Sequence, residues 1–375
     1  MKSENFNIGV TARRVLVAPL DWGLGHATRC IPIIYALLEE GFEVIIAADG
    51  LIKILLKNEF PDVVFTELKG YNIRYSNTGL WLLLKLMLQF PKLLLSIYSE
   101  HRWLKKLIRK YKIDAVISDN RLGLYHTTIP CIYITHQLKI KTGNSFTAWL
   151  VQKIHYFFIN KYAACWVPDN EFENDLAGDL SHPQKMPVVP VKYLGPLSRF
   201  KKITIEKKYD LMFILSGPEP QRTIFEKMVL EELKTFEGKT LLVRGLPYNE
   251  PNDEPVLNDE KKIAIIDHLS SGALNKAIQQ SGIIISRSGY TTIMDLIKLQ
   301  QKAILVPTPG QTEQEYLAAY LMQKKIFYSV LQNNFSLQQA LQKATAFSFT
   351  NFRLPQYEYK TIVKEFATQV KQADN

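Results

Sequence analysis

Cysteine is scarce in this sequence and is not arranged for disulfide or metal chemistry. Cys30, Cys131 and Cys165 are far apart in apolar surroundings, and the 375 residues contain no CxxC motif and no Cys/His pair. A disulfide framework or a zinc finger needs paired cysteines at short spacing. We therefore expect buried free thiols in a reducing compartment and no structural metal.

Neither a signal peptide nor a membrane-spanning segment is expected from the apolar pattern of this sequence. Residues 1–7 have no apolar core of the signal-peptide type. The most lipophilic stretch, residues 80–98, is interrupted by Lys85, Gln89, Pro91 and Lys92. Because a lysine near the bilayer centre costs about 2.5 to 3.5 kcal/mol on insertion scales, spanning is disfavoured. We predict a cytoplasmic protein.

Acidic residues are outnumbered by basic ones. The 46 Lys and Arg exceed the 36 Asp and Glu by 10, and the sequence pI is about 9.2. Basic proteins are drawn to nucleic acid, anionic membranes or phosphorylated substrates, and charge alone does not choose among these. Hydrophobic residues at 47% are ordinary for a globular protein. The length fits two domains of about 100 to 200 residues each.

The pattern of apolar runs predicts two parallel α/β sheets. Residues 14–50 form a βαβ unit, with near-continuous apolar strands of the kind that are covered on both faces of a sheet. A proline-punctuated stretch, residues 188–197, is predicted as the linker. Further strands are expected at 63–66, 115–118, 131–135, 165–167, 210–217, 240–244, 263–266, 282–286 and 303–307, and a long helix at about 80–110.

Two successive strand-to-helix turns carry the clearest chemical signal. Residues 286–298 (SRSGYTTIMDLIK) and 306–316 (VPTPGQTEQEY) each follow an apolar run and open a helix. Such turns meet at the carboxyl edge of a parallel sheet, where helix amino ends present free N–H groups to anions. Small hydroxyls, glycines, an arginine, an aspartate and a Gln/Glu pair suit a phosphorylated, hydroxyl-rich ligand. A sugar nucleotide is the predicted ligand.

These two turns resemble the donor-binding half of the family 28 glycosyltransferases. The matching residues are Arg287, Ser288, Gly289, Thr291, Thr292, Asp295, Pro307 and the stretch 311–316. Residues 21–29 (DWGLGHATR) resemble the glycine-rich, histidine-ended loop with which that family begins. The resemblance is strong over residues 13–50 and 260–325. It implies the GT-B architecture, two doubly wound Rossmann-like domains facing across a cleft.

The resulting domain scheme has three parts. Residues 1–196 are predicted as the acceptor-binding domain and residues 197–354 as the nucleotide-sugar-binding domain. Residues 355–375 are expected to form a helix that packs back toward the first domain, as the resemblance implies.

Donor contacts are assigned from loop position and from the resemblance. Residues 216–222 follow a strand and precede a helix, so Ser216, Gly217 and Arg222 are suited to a diphosphate. The resemblance places a uracil edge against the turn of Ile266, His268 and Leu269. It places ribose hydroxyls at Asp295, where the family has a glutamate. Gln314 and Glu315 correspond to a sugar-binding Gln-Gln pair, and the change to Glu315 is expected to favour a different donor sugar.

The first-domain loop supplies the predicted catalytic base. His26 lies at a helix amino end, where the positive end of the dipole disfavours the protonated ring and keeps a neutral imidazole available. The resemblance also places it at the cleft, with Gly23 and Gly25 on the acceptor side. A dinucleotide fingerprint fails because Thr28 occupies the third glycine position, so a nicotinamide enzyme is disfavoured. A tight turn without a ligand, with His26 as a structural residue, is the plain alternative.

Other polar residues follow strands on the same edge. Asp21 and Asp119 are alternative bases, since either carboxylate could take a proton from an acceptor hydroxyl. His136 is predicted to shape the acceptor pocket. No DxD motif stands in a plausible metal position. We therefore expect no metal and no cofactor apart from the UDP-sugar donor, with helix dipoles and arginines stabilising the leaving diphosphate.

Residues 80–112 combine leucines, Trp81 and Trp103 with eight lysine and arginine residues, six of them between residues 101 and 112. An interfacial surface of this kind binds anionic lipid, with about 1 kcal/mol per basic side chain near the membrane. The plain alternative is a buried helix followed by a solvated basic one. The interfacial interpretation would suit a lipid-linked acceptor and a peripheral location on the inner face of the membrane.

The leading hypothesis is an inverting, metal-independent glycosyltransferase that moves N-acetylglucosamine or another hexose from a UDP-sugar to a hydroxyl of a membrane-associated or envelope glycan acceptor. Nucleic acid is not an expected partner. One alternative is a nucleotide-sugar hydrolase of nonulosonic acid synthesis, whose first loop the GxGHxxR pattern also resembles. Another is a non-catalytic protein that binds sugar nucleotides.

Overall fold

The protein is described here by a computed structural model. It describes residues 12–71, 79–141, 145–172, 174–246, 262–350 and 358–372, and within helices it leaves out the side chains of residues 79–90, 146 and 358. Two parallel β-sheets, each covered by helices, make up this part of the chain.

The first sheet has seven strands, all paired in parallel, in the order β3-β2-β1-β4-β5-β6-β7. The strands are β1 (Arg14–Pro19), β2 (Glu43–Ala47), β3 (Val64–Thr66), β4 (Ala115–Asp119), β5 (Cys131–Ile134), β6 (Ala164–Val167) and β7 (Val191–Tyr193). The helices are α1 (Leu24–Glu39), α2 (Gly50–Glu59), α3 (Gly79–Tyr111) and α4 (Ser145–Ile159).

The second sheet has six parallel strands in the order β10-β9-β8-β11-β12-β13. They are β8 (Tyr209–Ile214), β9 (Thr240–Val243), β10 (Ile263–Ile266), β11 (Ser281–Ser286), β12 (Ala303–Leu305) and β13 (Tyr328–Ser329). The helices are α5 (Gln221–Glu232), α6 (Ser271–Gln279), α7 (Tyr290–Leu299), α8 (Thr312–Gln323), α9 (Leu337–Ala346) and α10 (Glu358–Gln372), and short 3₁₀ turns occur at Gly178–Leu180 and Gln332–Asn334.

Both sheets have the doubly wound order, and this confirms the predicted fold class of two Rossmann-like domains. In each, strand order reverses after the first strand, between β1 and β4 and between β8 and β11. Ligands of open α/β sheets bind outside the carboxyl ends of the strands at such a switch point. The fold therefore directs attention to the loops after β1, β4, β8 and β11.

Residues alternate along β1 between two hydrophobic cores. Val15 and Val17 belong to one core and Leu16 and Ala18 to the other, and all four are fully buried. A strand buried on both faces carries a near-continuous apolar sequence, which is why its position was predictable. The three cysteines are likewise buried and free.

The predicted linker differs from the structure. Val191–Tyr193 pairs with β6 and forms the edge strand β7, so the segment that joins the two sheets is 194–208. Prolines at positions 187, 190 and 196 flank a three-residue strand, and their abundance suggested a connection without regular structure. The boundary placed at 196/197 lies within residues 194–208 and stays a prediction.

Helix α10 returns to the first domain. Lys360 Nζ lies 2.7 Å from Glu39 Oε2 of α1, and Lys371 Nζ donates to the Glu40 carbonyl at 2.7 Å. The Phe366 ring packs edge-on against Trp166 of β6, with 5.4 Å between ring centroids. Among the described residues, no helix combines the length and the apolar character needed to cross a bilayer.

Candidate active site in the cleft

His26 lies in the first turn of α1, directly after β1. The turn is made by Gly23, whose φ of 106° falls in a region that favours glycine, and Gly23 gives α1 no side-chain cap. The His26 side chain is 16% exposed. The ring can therefore be reached from the cleft while most of its surface is held by the protein.

Asp119, at the end of β4, holds the His26 ring. Its carboxylate is fully buried, and Oδ2 lies 3.0 Å from His26 Nδ1. Nδ1 faces the Asp119 carboxylate and also lies 2.8 Å from Arg29 Nη2, which can only donate. A proton on Nδ1, donated to Asp119, leaves the lone pair on Nε2, and this is the tautomer in which the ring can act as a base toward the cleft. The strand order explains the pairing, because β1 and β4 are neighbours at the switch point.

The local charges keep the histidine neutral and the aspartate ionised. Burial, and then the nearby Arg29 guanidinium, lower the pKa of His26 below 6.5. Burial alone would raise the pKa of Asp119, but Arg29 and His26 outweigh it and lower that pKa to about 2. Sequence analysis treated His26 and Asp119 as alternative bases. The structure joins them as a pair in which fully buried Asp119 orients the partly accessible His26 ring.

Arg29 was missed as a site residue. It is buried on α1, and its guanidinium donates to both Asp119 oxygens and lies 2.8 Å from His26 Nδ1 through Nη2. Its Nη1 lies 3.1 Å from His136 Nδ1. The available signal was its spacing of three residues from His26, which places both on one helix face.

Asp21 lies in the same loop with a partly buried carboxylate. Its Oδ1 is buried and accepts no hydrogen bond from the described residues. Gly70 approaches so closely that a Cβ there would be 1.3 Å from Asp21 Oδ2. A side chain at position 70 would therefore require the Asp21 carboxylate to move.

His136, after β5, extends the site to the second domain. Its Nε2 lies 2.7 Å from Glu313 Oε1 in the first turn of α8, and its ring stacks on Tyr290 of α7 with 4.1 Å between centroids. Glu313 was also missed, since residues 311–316 drew attention to Gln314 and Glu315. The domains also meet at Gly25, whose carbonyl accepts from Thr291 Oγ1 at 3.1 Å and whose Cβ, if present, would be 2.8 Å from that oxygen.

The loop after β8 has the form of an anion site. Ser216 is partly exposed, and Gly217 has a φ of 101°, which favours glycine. Thr308, after β12, lies 3.7 Å from a Cβ built on Gly217, and its buried Oγ1 has no hydrogen-bond partner among the described residues. This hydroxyl and the exposed loop are available to a ligand.

The two donor-site arginines have different surroundings. Arg222 is paired with Glu219 at 2.7 Å and with Glu226 at 2.6 Å, so its charge is already compensated. Arg287 is buried, and its observed hydrogen bonds go to the carbonyls of residues 221, 306 and 307. Burial lowers the pKa of Arg287 to about 10. Of the two, Arg287 is the better supported partner for a diphosphate.

A third arginine lies beside the expected ribose residue. Asp295 is buried in α7 and accepts a hydrogen bond from Ser198, and burial raises its pKa to about 6. The Arg199 guanidinium has two buried nitrogens, Nε and Nη1, without hydrogen-bond partners among the described residues. Its charge acts on both Asp295 and His268. Sequence analysis missed Arg199, which lies between the predicted linker at residues 188–197 and the next predicted strand at 210–217.

The remaining predicted donor residues make hydrogen bonds or packing contacts within the loops. Gln314 Oε1 accepts from the Thr308 amide at 3.0 Å, and Glu315 Oε1 accepts from the Gly310 amide at 2.9 Å. Ser288 Oγ donates to the Gln314 carbonyl at 2.8 Å. Ile266 and Leu269 are buried around the turn after β10, Thr292 is partly buried in α7, and Gly289 is the N-cap of α7.

Four helices begin at these loops without a side-chain cap. The N-cap residues of α1, α5, α7 and α8 make no side-chain cap hydrogen bond, whereas Asp49 caps α2 and Ser270 caps α6. In α5, however, Glu219 Oε2 accepts from the Thr223 amide at 3.2 Å, so one of its amino-terminal N–H groups is already bound by a carboxylate. Uncapped amino ends retain N–H groups and a positive dipole end for an anion. Their convergence on the switch points favours a phosphorylated ligand.

A group of potential metal ligands lies elsewhere. Among the described residues, Asp169, Asp175 and His182 bring ligand atoms within 4.8 Å of one another. Asp169 already accepts hydrogen bonds from its own loop, and Asp175 binds Tyr320 and Lys324 of the second domain. We assign these side chains to the contact between domains. The metal-free donor site stays a prediction.

Comparison with known proteins finds a family likeness in the second domain. The model of the glycosyltransferase family 28 C-terminal domain matches residues 213–371. This match covers 159 of the 375 residues, so the likeness to glycosyltransferase family 28 is shown for the carboxyl-terminal part of the chain. The family 28 match runs from β8 into α10 and contains every predicted donor residue from Ser216 to Glu315, whereas His26 and Asp119 lie outside it.

Curated relatives extend the likeness. The chain is 23% identical over 235 residues to a UDP-N-acetylglucosamine–N-acetylmuramyl-(pentapeptide) pyrophosphoryl-undecaprenol N-acetylglucosamine transferase of Listeria welshimeri, covering 60% of this chain and 62% of that protein. The Clostridium tetani protein of that name is 24% identical over 292 residues, covering 76% and 75%. The chain thus spans about three fifths of the Listeria relative's length.

The solved structure of CalG4, the calicheamicin glycosyltransferase, aligns with a TM-score of 0.62 at 11% identity, covering 97% of this chain and 95% of that chain. At this identity the likeness concerns the fold alone. It extends the GT-B architecture over both domains, including the first, which the family 28 match does not reach.

Proposed function

We propose that this protein is an inverting, metal-independent glycosyltransferase. It transfers N-acetylglucosamine or another hexose from a UDP-sugar to a hydroxyl of a lipid-linked or envelope glycan acceptor. The observation that carries the proposal is the His26–Asp119 pair at the switch point of the first domain, joined across the cleft to a family 28 donor domain.

The first domain supplies the base. The acceptor oxygen attacks the anomeric carbon, its proton passes to His26 Nε2, and the bond to the UDP oxygen breaks with the electron pair leaving on the diphosphate. Asp119 stabilises the imidazolium that forms, since its ionised carboxylate faces Nδ1 at 3.0 Å. A single displacement of this kind inverts the anomeric carbon.

The second domain would hold the nucleotide without a cation. Asp295 and the two unpartnered nitrogens of Arg199 suit the ribose and the base, and buried Arg287 with the uncapped helix ends suits the diphosphate. Fixed dipoles and guanidinium groups can stabilise a leaving diphosphate in place of a metal ion. The names of the Listeria and Clostridium relatives motivate the choice of UDP-N-acetylglucosamine and a lipid-linked acceptor.

A surface on the first domain suits a membrane. Helices α3 and α4 pack through buried Ile97 and Phe158. Basic side chains lie over exposed aromatic rings, Lys153 over Trp149 at 4.0 Å and Arg102 over Tyr98 at 5.9 Å. On the described parts of α3 and α4, the large exposed apolar side chains are Leu94, Leu95, Tyr98, Trp149, Leu150 and Phe157.

We call these six residues the α3–α4 surface. An apolar, aromatic patch bordered by basic groups is typical of a protein that lies in the interface of an anionic membrane. Residues 80–90, including Trp81, lie outside the described side chains. A peripheral location would bring the cleft to a lipid-linked acceptor.

The test is UDP release by the purified protein with a panel of UDP-sugars, with and without lipid extract, in EDTA. We expect release that requires the extract, persists in EDTA and yields a product of inverted anomeric configuration by NMR. Release of equal rate without extract would indicate the hydrolase. No release with any combination would leave a binding protein and overturn the proposal.

A further inference from the structure

A continuous chain of polar contacts crosses the cleft. It begins at Glu313, in the first turn of α8, whose Oε1 lies 2.7 Å from His136 Nε2. His136 Nδ1 lies 3.1 Å from Arg29 Nη1, and Arg29 binds both Asp119 and His26. The second domain thus contacts the catalytic histidine through two intervening side chains.

The chemistry of the groups fixes the proton on His136. An arginine guanidinium only donates hydrogen bonds, so His136 Nδ1 must accept and carries no proton. Nε2 then carries the proton, and this N–H donates a hydrogen bond to Glu313 Oε1. One neutral tautomer satisfies both contacts. Burial alone would raise the pKa of Glu313, but His136 and Arg29 outweigh it and lower that pKa, so the acceptor stays ionised.

The His136 ring is held by both domains. Tyr290 of α7 stacks against it at 4.1 Å, with an interplanar angle of 6°. The Tyr290 hydroxyl donates to the Pro168 carbonyl of the first domain at 2.8 Å. The His136 ring therefore occupies a space between the two domains that exists only while the domains are in contact.

Arg29 is where this contact can affect the base. Its guanidinium is a rigid planar fork with donors in fixed directions. Two of its nitrogens bind Asp119, while the third is directed at His136. If the His136 contact is lost, the Arg29 guanidinium can rotate. The Asp119 carboxylate and the His26 ring, which it contacts, then change orientation with it.

We propose that Glu313 is a positioning residue that orients His26 through His136 and Arg29 when the cleft is closed. The proposal rests on the glycosyltransferase function proposed above and deepens it. His26 adopts its catalytic orientation only when the donor domain has closed over the cleft. Sugar transfer is therefore limited while the cleft is open.

The chain offers a matched control. Tyr320, two turns further along α8, donates from its hydroxyl to Asp175 Oδ2 of the first domain at 2.6 Å. Tyr320→Phe removes a cross-domain hydrogen bond from the same helix and leaves the contacts of His136 in place. This variant therefore distinguishes a general loss of contact between the domains from a loss of the contacts that lead from Glu313 to His26.

Kinetics give the first test. Glu313→Ala should lower kcat by about 10- to 100-fold, the usual cost of a slightly misplaced catalytic group, while KM for the UDP-sugar and the Kd of UDP stay near wild type. Glu313→Gln keeps an acceptor for His136 and should recover most of the loss, and Tyr320→Phe should behave as wild type. An unchanged kcat in Glu313→Ala, an equal loss in Glu313→Gln or Tyr320→Phe, or a matching rise in UDP Kd overturns the proposal.

A double variant tests the route. If Glu313 acts through His26, then Glu313→Ala should have little further effect on the residual activity of His26→Ala. Additive losses would mean that Glu313 acts on the substrate directly.

Histidine NMR separates this proposal from the proposed function, because it needs no turnover. With seven histidines in the chain, ¹⁵N-labelled histidine should give a resolvable set of ring signals. Glu313→Ala should shift the tautomer signature of His136 and also that of His26, whereas Tyr320→Phe should shift neither. A His26 signal that is identical in wild type and Glu313→Ala overturns the proposal whether or not any UDP-sugar is turned over.

Discussion

The His26 imidazole is kept neutral and in a fixed orientation, while part of its surface remains accessible. Burial and Arg29 lower the pKa of the ring, and Asp119 fixes Nδ1. A histidine in solution would be partly protonated near pH 6.5 and free to rotate. The site therefore increases both the fraction of the ring in its basic form and the fraction in the right orientation.

His26→Ala should lower turnover by about 10² to 10⁴, the usual contribution of a positioned general base. UDP binding, measured by calorimetry, should be unchanged because the donor contacts lie in the second domain. Asp119→Asn serves as the companion variant, since it keeps the shape of the side chain but removes the charge that stabilises the imidazolium. Nearly full activity in His26→Ala would assign the base elsewhere, and Asp21 would be the next residue to test.

The pH dependence of kcat follows from the direction of the His26 shift. The base works in its neutral form, so kcat should be constant above pH 6.5 and fall only at lower pH, as protonation passes through the lowered pKa. Asp119 does not contribute a limb in this range because its pKa is about 2. A profile of kcat against pH checks this, and His26→Ala should lack the acidic limb. A limb above pH 7 in the wild type would contradict the assignment.

Asp295→Ala should weaken UDP binding in EDTA by about 1.5 to 3 kcal/mol, the range for a hydrogen bond that involves a charged group. Calorimetry at a pH well above 6 is required, since burial raises the pKa of Asp295 to about 6 and the carboxylate is ionised only above it. Ser198→Ala is the control, because Ser198 binds the same carboxylate from the protein side. Unchanged affinity, or binding that needs magnesium, would refute the donor-site assignment.

The types of these residues were predictable from sequence, but their partnerships were not. His26 and Asp119 are 93 positions apart, and His136 and Glu313 are 177 apart. Loop position identified each strand end as a candidate, yet which strand lies beside which is decided by sheet order. Arg29 and Arg199 were missed for a related reason, because an arginine in a helix or a connection has no distinctive sequence pattern until its surroundings are known.

At the scale of elements, apolar runs located the central strands and the edge strands β3 and β10, but they missed the edge strands β7 and β13. β1 and β11 lie where continuous apolar residues predict them, because both faces are covered. β7 and β13 are short edge strands of three and two residues, with prolines or little apolar pattern nearby. Their pairing depends on the neighbouring strand, which local sequence does not encode.

Helices α3 and α4 should bind the protein to anionic vesicles at low salt, with release as salt rises, because screening shortens the reach of surface charges to about 8 Å at physiological ionic strength. Replacing four exposed basic residues of α3 by glutamine should weaken co-sedimentation. The four residues are Lys105, Lys106, Arg109 and Lys110.

The matched control replaces four exposed lysines of the second domain by glutamine, which changes the net charge equally. These are Lys227, Lys234, Lys239 and Lys343. Trp149→Ala probes the apolar part of the α3–α4 surface. Equal binding by both quadruple variants, or no binding by the wild type, would make α3 a packed helix with a basic face and remove the support for a lipid-borne acceptor.

On the scale of the whole molecule, one strand order is used twice and the two switch points face each other. Contacts across the cleft include the Thr291–Gly25 and Tyr320–Asp175 hydrogen bonds and the His136–Glu313 contact. The base on one domain and the donor site on the other are thereby held in a single assembly. Because each site lies at the edge of its own sheet, movement of one domain against the other would bring the two sites together or separate them.

The carboxyl-terminal helix α10 completes the core of the first domain although it follows the second in sequence. Val363, Phe366, Ala367 and Val370 are all buried, and α10 lies against α1 and β6. The segment matched by the family model includes α10 but excludes α1. Excised at those bounds, a donor module would expose an apolar helix face, so an autonomously folding version should end near residue 350. If the two domains were expressed as separate fragments, α10 would provide the contact that brings them together, and complementation between the fragments would depend on it.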